Sequence, residues 1–175
     1  MKILAFAASN SSTSINKQLV TYAASLVEGA EVEILDINDY EMPIFSIDRE
    51  KAVGQQPLAK KFLKKIGDAD ALIISFAEHN GSYSAAYKNL FDWTSRLGIK
   101  VYQNKPVLML AAASGPGGAM RVLTTATSAA PHQSADLRGQ LSVPSFAQNF
   151  DSQKGQLINS ELNAELHKAI ANLVE

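Results

Sequence analysis

The stretches ILAFAA (Ile3–Ala8), ALIISFA (Ala71–Ala77) and VLMLAAA (Val107–Ala113) are almost uninterrupted runs of apolar residues. Runs of this length without polar alternation are typical of strands that are covered on both faces, as in a parallel sheet. Two further segments, EVEILD (Glu31–Asp36) and DLRGQLSV (Asp136–Val143), alternate apolar and polar residues instead. We therefore expect three buried central strands and two half-exposed edge strands.

Helical patterns follow these strands one by one. The first carries Ile15, Leu19 and Tyr22 on one face, at the spacing of an amphipathic helix. A third helix is predicted at about 83–97, and the last has Ser160 as its expected N-cap. Regular alternation of strand and helix predicts an α/β three-layer sandwich.

The edge and centre assignments select one topology. Strands one, three and four are central and strands two and five lie at the edges, which fits the doubly wound order 2-1-3-4-5. The sequence therefore predicts a flavodoxin-like sandwich around a five-stranded parallel sheet. Because the chain has 175 residues and contains no repeat or linker, we expect a single domain over residues 1–175.

The composition excludes several classes of function. Sixteen Lys and Arg face 17 Asp and Glu, so the chain lacks the basic surface that nucleic-acid binding needs. It has no cysteine and no paired-histidine motif, so we expect no metal site. No stretch approaches the roughly 18 apolar residues of a membrane span. We expect a cytoplasmic protein with no nucleic-acid partner and no membrane insertion.

In a sheet of this order, ligands bind at the carboxyl ends of the strands, near the point where the strand order reverses. The first loop at that edge, SNSSTSIN (Ser9–Asn16), supplies five hydroxyl groups just before a helix N-terminus. Hydroxyl donors, free N–H groups and a positive dipole end together favour a phosphate monoester. The alternative is that these residues only cap the helix, although a single residue is enough for one cap.

The other two loops at this edge are also unusual. AEHNGSY (Ala77–Tyr83) offers a carboxylate, an imidazole and an amide that could bind a flat heterocycle, or Asn80-Gly81 could simply reverse the chain. ASGPGGA (Ala113–Ala119) has three glycines in four residues, which indicates either a backbone close to a ligand or a tight turn. Neither loop decides between its two interpretations alone.

Three motifs resemble the NADPH-dependent FMN reductase family, and with matching spacing they span nearly the whole chain. SNSSTSIN is similar to the family's phosphate loop, and SGPGGAMR to its third loop. AEHNGSYSAAYKNLFDWTSR resembles its Pro-Glu-Tyr-Asn segment and the Lys-Asn…Asp-Trp helix that follows, and this match is the most specific. The sequence departs from the family at Ala8 in place of glycine, Ser11 in place of an arginine, and Ala77 and His79 in place of proline and tyrosine.

The resemblance implies an oxidoreductase that passes hydride from NADPH or NADH to bound FMN, and then to a flavin, quinone or similar small-molecule acceptor by ping-pong turnover. It implies no catalytic side chain, although His79 could tune the flavin. It also implies three groups of cofactor-binding residues: Ser9, Ser11, Ser14, Ile15 and Asn16 around the phosphate; Glu78, His79, Asn80 and Gly81 along the ring and ribityl chain; and Ser114 and Gly115 on the other side of the ring.

Three points stay open on the sequence. A flavin-binding or interaction module without reductase turnover is the alternative function. A hydrolase is disfavoured because Ser114 does not lie in a G-x-S-x-G elbow. The helix at 83–97 has two apolar stripes, and the family assembles through this region, so we expect a homodimer or homotetramer.

Overall fold

The computed structural model describes residues 1–98 and 100–175, and in it strands and helices alternate as predicted. The strands are β1 (Lys2–Ala8), β2 (Glu31–Leu35), β3 (Ala71–Phe76), β4 (Glu78–His79), β5 (Ser82–Tyr83), β6 (Pro106–Ala112), β7 (Asp136–Val143), β8 (Phe150–Asp151) and β9 (Gln156–Leu157). The helices are α1 (Ile15–Ser25), α2 (Ile47–Val53), α3 (Pro57–Asp68), α4 (Ala85–Ser95), α5 (Met120–Ala129), α6 (Phe146–Asn149) and α7 (Ser160–Val174), with 3-10 turns at Ile37–Tyr40 and Pro131–Gln133.

The main sheet has five strands in the order β2-β1-β3-β6-β7, and every neighbouring pair is parallel. Counted along the main sheet, this is the predicted order 2-1-3-4-5, which is therefore confirmed. The remaining strands form two small antiparallel hairpins, β4-β5 and β8-β9. The order of the sheet reverses at β1 and β3, so the loops after these two strands diverge to opposite sides and leave a crevice between them.

Two apolar layers hold the helices on the sheet. On one face α3, α4 and α5 bury Phe6, Phe62 and Trp93. On the other face α1 and α7 bury Leu19 and Leu166. The residues of β3 are all buried, whereas Val32 and Ile34 on β2 are partly exposed, as expected for a central and an edge strand.

One local prediction was wrong, and one helix was not predicted. Asn159, not Ser160, is the N-cap of α7, because the Asn159 side chain accepts hydrogen bonds from the N–H groups of Glu161 and Leu162. The long connection after β2 also contains α2, which none of the helical patterns indicated. The sequence of α2, IDREKAV, carries no apolar stripe, and none of its residues is buried. No helix among residues 1–98 and 100–175 is long and apolar enough to cross a lipid bilayer.

The connection before α2, residues 41–46, is held by two side chains of α4; we call it the strap. Asn89 accepts a hydrogen bond from the Phe45 N–H at 2.8 Å and donates to the Met42 carbonyl at 2.9 Å. The buried Trp93 indole donates to the Pro43 carbonyl at 2.7 Å. These contacts give a structural role to the Asn and Trp of the Lys-Asn…Asp-Trp segment.

We expect Asn89→Ala to loosen the strap and to lower the free energy of unfolding by about 1–2 kcal/mol, because it removes several half-buried hydrogen bonds. Amide hydrogen exchange should rise at Phe45, whose N–H loses its acceptor. Lys88→Ala on the same helix is the matched control, since its ion pair with Asp92 is exposed and such pairs contribute little. Unchanged exchange at Phe45 in Asn89→Ala would contradict this account of the strap.

Candidate functional site

The crevice at the carboxyl edge of the sheet is bordered by the loops that follow β1, β3 and β6. The parallel register places Ala8 beside Phe76, and Phe76 beside Ala111, so these three strands end together. Two side chains connect the loops directly. Ser84, the N-cap of α4, donates to the Ala8 carbonyl at 2.9 Å, and Asn16 reaches the last residue of β6.

In the first loop, one hydroxyl caps the helix and others remain at the surface. Ser14 is the N-cap of α1, and its side chain accepts a hydrogen bond from the Lys17 N–H. Ser9 is buried and accepts from the Ser11 N–H, which turns the loop back on itself. The side chains of Ser11, Ser12 and Thr13 are exposed. Ser11 Oγ accepts from the Thr13 N–H and lies 3.5 Å from the Thr13 hydroxyl, whereas the Ser12 hydroxyl makes no hydrogen bond in the described part of the chain. The loop therefore has more hydroxyl groups than its own fold uses.

The first turn of α1 adds main-chain donors. Ile15 and Asn16 are the first two residues of the helix, so their N–H groups have no acceptor within it. No hydrogen bond from either group is present in the described part of the chain. With the dipole of an 11-residue helix behind them, these donors favour an anion at this point.

The side chain of Asn16 has a structural role below the loop. Its oxygen accepts from the Ala112 N–H at 2.9 Å and from the Ser75 hydroxyl at 2.7 Å, and its nitrogen donates to the Ala112 carbonyl at 3.2 Å. Both Asn16 and Ser75 are buried. Asn16 can therefore serve an anion only through its main-chain N–H, while its side chain fixes α1 against β3 and β6.

The first loop has no cation of its own between Ser9 and Asn16, and the nearest one along the chain is engaged elsewhere. The Lys17 ammonium lies 2.6 Å from a carboxylate oxygen of Asp36, at the end of β2. Chiefly because of the hydrogen bond from Lys17, the pKa of the Asp36 carboxyl lies below its ordinary value. The Lys17 ammonium is thus engaged by Asp36 and not by the loop's hydroxyl groups.

The second loop is a hairpin whose tip is Asn80-Gly81. Both residues have positive φ angles, 53° and 77°, as a two-residue hairpin turn requires. Asn80-Gly81 therefore reverses the chain, and the side chains of His79 and Asn80 are exposed at the edge of the crevice.

Glu78, at the base of this hairpin, acts as a helix cap for a distant segment. Its carboxylate accepts a hydrogen bond from the Val122 N–H at 3.0 Å. The N-cap residue of α5 itself, Ala119, has no side chain able to do this. Glu78 therefore joins the second loop to the third, and one of its oxygens is no longer available to a ligand.

In the third loop the glycines differ in their roles. Gly118 has φ of 58°, and a Cβ there would collide with the Ser142 hydroxyl and approach the Pro144 nitrogen to 3.2 Å. Ser142 donates to the Gly118 carbonyl at 2.7 Å. Gly118 is thus required because its backbone lies directly against the end of β7. Ser114 and Gly115 are exposed, and a Cβ at Gly115 would meet open space.

The sequence analysis missed two residues at this edge. Ser84 holds α4 to the end of β1, and its position before a helix was a readable N-cap signal. Arg121 lies against the hairpin tip, where a Cβ on Gly81 would be 3.4 Å from the Arg121 Cδ. Arg121 belongs to the SGPGGAMR motif, but nothing local indicates a contact with Gly81.

We expect Asn16→Ala to lower the free energy of unfolding by about 3 kcal/mol, because it leaves the buried N–H and C=O of Ala112 without partners. Ser75→Ala is the control: it removes only one hydroxyl bond to Asn16 and should cost about 1 kcal/mol. Urea denaturation monitored by circular dichroism measures both. Equal losses in the two variants would contradict the role given to Asn16.

Gly118→Ala should destabilise the protein by about 2 kcal/mol or more, since it forces an L-residue into a positive-φ conformation against β7. The matched variant is Gly117→Ala, because a Cβ there meets no atom within 4 Å. Its free energy of unfolding should change by less than about 0.5 kcal/mol. Thermal denaturation of the pair provides the test, and a similar shift in both would refute the argument.

The chain is similar in sequence to several known proteins. A model of the NADPH-dependent FMN reductase family matches residues 1–148. Over 122 residues, the chain is 33% identical to an NAD(P)H-dependent FMN reductase of Pseudomonas aeruginosa, covering 69% of this chain and 64% of that protein. It is 31% identical, also over 122 residues, to an NADPH:quinone oxidoreductase of Arabidopsis thaliana, covering 67% and 61% of the two lengths. The chain thus spans less than two thirds of either relative.

Among solved structures, a flavoenzyme NAD(P)H:(acceptor) oxidoreductase from Paracoccus denitrificans superposes with a TM-score of 0.77 at 22% identity. The match covers 99% of this chain and 94% of that one, which shows that the two have the same fold. The family match extends from β1 to α6 and so includes all three loops of the crevice. The chain belongs to the NADPH-dependent FMN reductase family.

Proposed function

We propose that this protein is an FMN-dependent NAD(P)H oxidoreductase that passes hydride from a nicotinamide to bound FMN and on to a flavin, quinone or similar acceptor. The observation that carries the proposal is a set of hydrogen-bond donors in the first loop that the chain does not use itself, at the point where the strand order reverses. It comprises the exposed Ser12 hydroxyl, the one hydroxyl hydrogen that the Ser11–Thr13 pair leaves over, and the free N–H groups of Ile15 and Asn16. The family membership of the chain supports the same cofactor.

These donors fit the phosphate of FMN. A phosphate monoester accepts several hydrogen bonds, and a helix N-terminus favours its charge. Ser9, Ser11, Ser14, Ile15 and Asn16 would supply this environment, with Ser14 and the Asn16 side chain acting by fixing the geometry of the helix start. Because this loop lacks the arginine that the family pattern has, the phosphate would be held by hydroxyl and amide groups.

The other two loops would hold the ring and the ribityl chain. Glu78, His79, Asn80 and Gly81 would line one side, and Ser114 and Gly115 the other. The hairpin can present the main chain of Asn80-Gly81 and the exposed His79 imidazole, whereas Glu78 contributes chiefly by capping α5. Tyr83, half-buried at the base of the hairpin, stays neutral because burial raises the pKa of its hydroxyl.

When bound, FMN supplies the redox chemistry by accepting hydride from NAD(P)H and delivering it to the acceptor. The chain's own residues bind and orient. The first loop fixes the phosphate end, the hairpin and the third loop fix the ring, and the interactions of Asn16, Ser84 and Glu78 keep the three loops in a constant arrangement. In a ping-pong cycle, the nicotinamide and then the acceptor would occupy the same open side of the ring, so no side chain needs to act as a nucleophile.

The quinone class of acceptor is supported by the Arabidopsis thaliana relative, an NADPH:quinone oxidoreductase. We further propose that residues 1–175 act as one domain in the cytoplasm and assemble as a homodimer or homotetramer through α4. Of the α4 stripes, Tyr87 and Trp93 face the core, and Phe91 is only partly covered.

A flavin-binding module without turnover is the second candidate function, favoured by Ser11 in place of the arginine.

We expect FMN fluorescence to be quenched by the protein at concentrations where riboflavin is not, because only FMN carries the phosphate. Ser11→Arg should tighten FMN binding about tenfold and Ser11→Asp should weaken it by a similar factor, since charge-assisted hydrogen bonds are the strong ones. Neither variant should alter riboflavin binding. Equal quenching of both flavins by the wild-type protein would refute the phosphate site.

The enzyme and the module are then separated by turnover. FMN-loaded protein should oxidise NADPH or NADH in the presence of 1,4-benzoquinone, as followed by the loss of absorbance of the reduced nicotinamide. FMN binding with no oxidation of either donor would instead establish the module without reductase turnover.

A further inference from the structure

The side chain of Arg121 lies across the tip of the β4-β5 hairpin and ends in solvent. An added Cβ on Gly81 would be 3.4 Å from the Arg121 Cδ and 3.5 Å from its Nη1. Arg121 is exposed, and its guanidinium makes no hydrogen bond or ion pair with any other residue in the described ranges. The group is therefore placed by the hairpin but has no partner within the chain.

The location of this arginine is unfavourable for the helix that carries it. Arg121 is the second residue of α5, where the positive end of the helix dipole disfavours a cation. The Glu78 carboxylate already accepts from the neighbouring Val122 N–H, yet it does not come within ion-pair distance of Arg121. Arg121 therefore adds a positive charge at the positive end of α5, and no carboxylate in the described ranges pairs with it.

Other basic side chains beside the crevice are paired. Lys17 binds Asp36 at 2.6 Å, and Lys88 at the start of α4 binds Asp92 at 2.7 Å. The first loop carries no cation between Ser9 and Asn16. Arg121 thus differs from both lysines in having no carboxylate partner, and an anion entering between the second and third loops would meet its guanidinium.

We propose that Arg121 binds a phosphate group of the reduced nicotinamide dinucleotide and so acts as a specificity-determining residue for the hydride donor. This inference rests on the proposed function. That donor carries phosphate in two places, and the guanidinium could bind either one. They are the diphosphate bridge and the 2′-phosphate that distinguishes NADPH from NADH. The planar guanidinium matches phosphate oxygens in a two-bond geometry that a lysine cannot reproduce.

The donor is a better occupant than the phosphate of FMN for two reasons. The FMN phosphate already has a donor set in the first loop, after β1, whereas Arg121 follows β6 and is separated from that loop by β3 and its hairpin. A solvent-exposed charge also suits a substrate that enters and leaves at every turnover, because it attracts an anion at a distance without holding it permanently.

The test uses FMN-loaded protein and the variant Arg121→Gln, with Arg138→Gln as the matched control. Arg138 is a half-exposed surface arginine paired with Asp136 at 2.7 Å; it lies toward the amino end of β7, away from the crevice, and its removal changes the net charge equally. We expect Arg121→Gln to raise the KM for NADPH by roughly tenfold, and Arg121→Lys to restore only part of the loss. The KM for N-benzyl-dihydronicotinamide, which carries no phosphate, should stay constant.

A larger KM increase for NADPH than for NADH would assign Arg121 to the 2′-phosphate, and an equal increase would assign it to the diphosphate. Unchanged KM values for both dinucleotides in Arg121→Gln would overturn the proposal. An equal rise in KM for NADPH in Arg138→Gln, or a matching rise in the KM for N-benzyl-dihydronicotinamide in Arg121→Gln, would also overturn it. A loss of affinity for FMN without a change for riboflavin would overturn it too, because it would assign the guanidinium to the flavin phosphate.

Failure of the proposed function can be recognised separately. Wild-type protein that oxidises neither dinucleotide would refute the reductase assignment, and the Kd of NADP⁺ measured by calorimetry would then test Arg121 without turnover. Binding that weakens about tenfold in Arg121→Gln and not in Arg138→Gln supports the inference. Equal binding of NADP⁺ to the wild-type protein and Arg121→Gln overturns it.

Discussion

The buried side chain of Asn16 is the contact on which the arrangement of the crevice depends. It bonds to both main-chain groups of Ala112 and to Ser75, so one residue at the start of α1 is tied to two central strands. A buried amide with its partners in place is rigid, and each unmet bond would be costly in a low-dielectric interior. The first loop therefore begins from a fixed helix, and its exposed hydroxyls can present a constant geometry to an anion.

The other two loops are fixed by the same means, a side chain from one segment satisfying the main chain of another. Ser84 bonds to Ala8, and Glu78 bonds to Val122. Each contact joins two of the segments that border the crevice. The polar residues of the candidate site thus fall into two groups: those that join the loops and those that are exposed to a ligand. Residues of the exposed group can be substituted without breaking the contacts that join the loops.

Sequence patterns predicted the fold well because the signal for each central strand is local. Ile3–Ala8 is apolar throughout and Ala71–Ala77 is apolar except for Ser75, and burial on both faces follows directly. The roles of Glu78 and Gly118 could not be predicted, because their partners Val122 and Ser142 lie 44 and 24 residues away. The helix α2 was missed for a different reason: it packs without burying any residue, so no periodic pattern marks it.

The hydrogen bonds from α4 to the strap reach only main-chain atoms, while the Phe45 ring packs edge-on against the Trp93 ring at 5.1 Å. Asn89 and Trp93 bind the carbonyls of Met42 and Pro43 and the N–H of Phe45, and the side chain of Ile44 between them is exposed. Position 44 can therefore change its chemistry while the path of the chain stays the same. The chemistry of this patch of surface is thus set by the side chain at position 44 alone, with the anchoring helix α4 left intact.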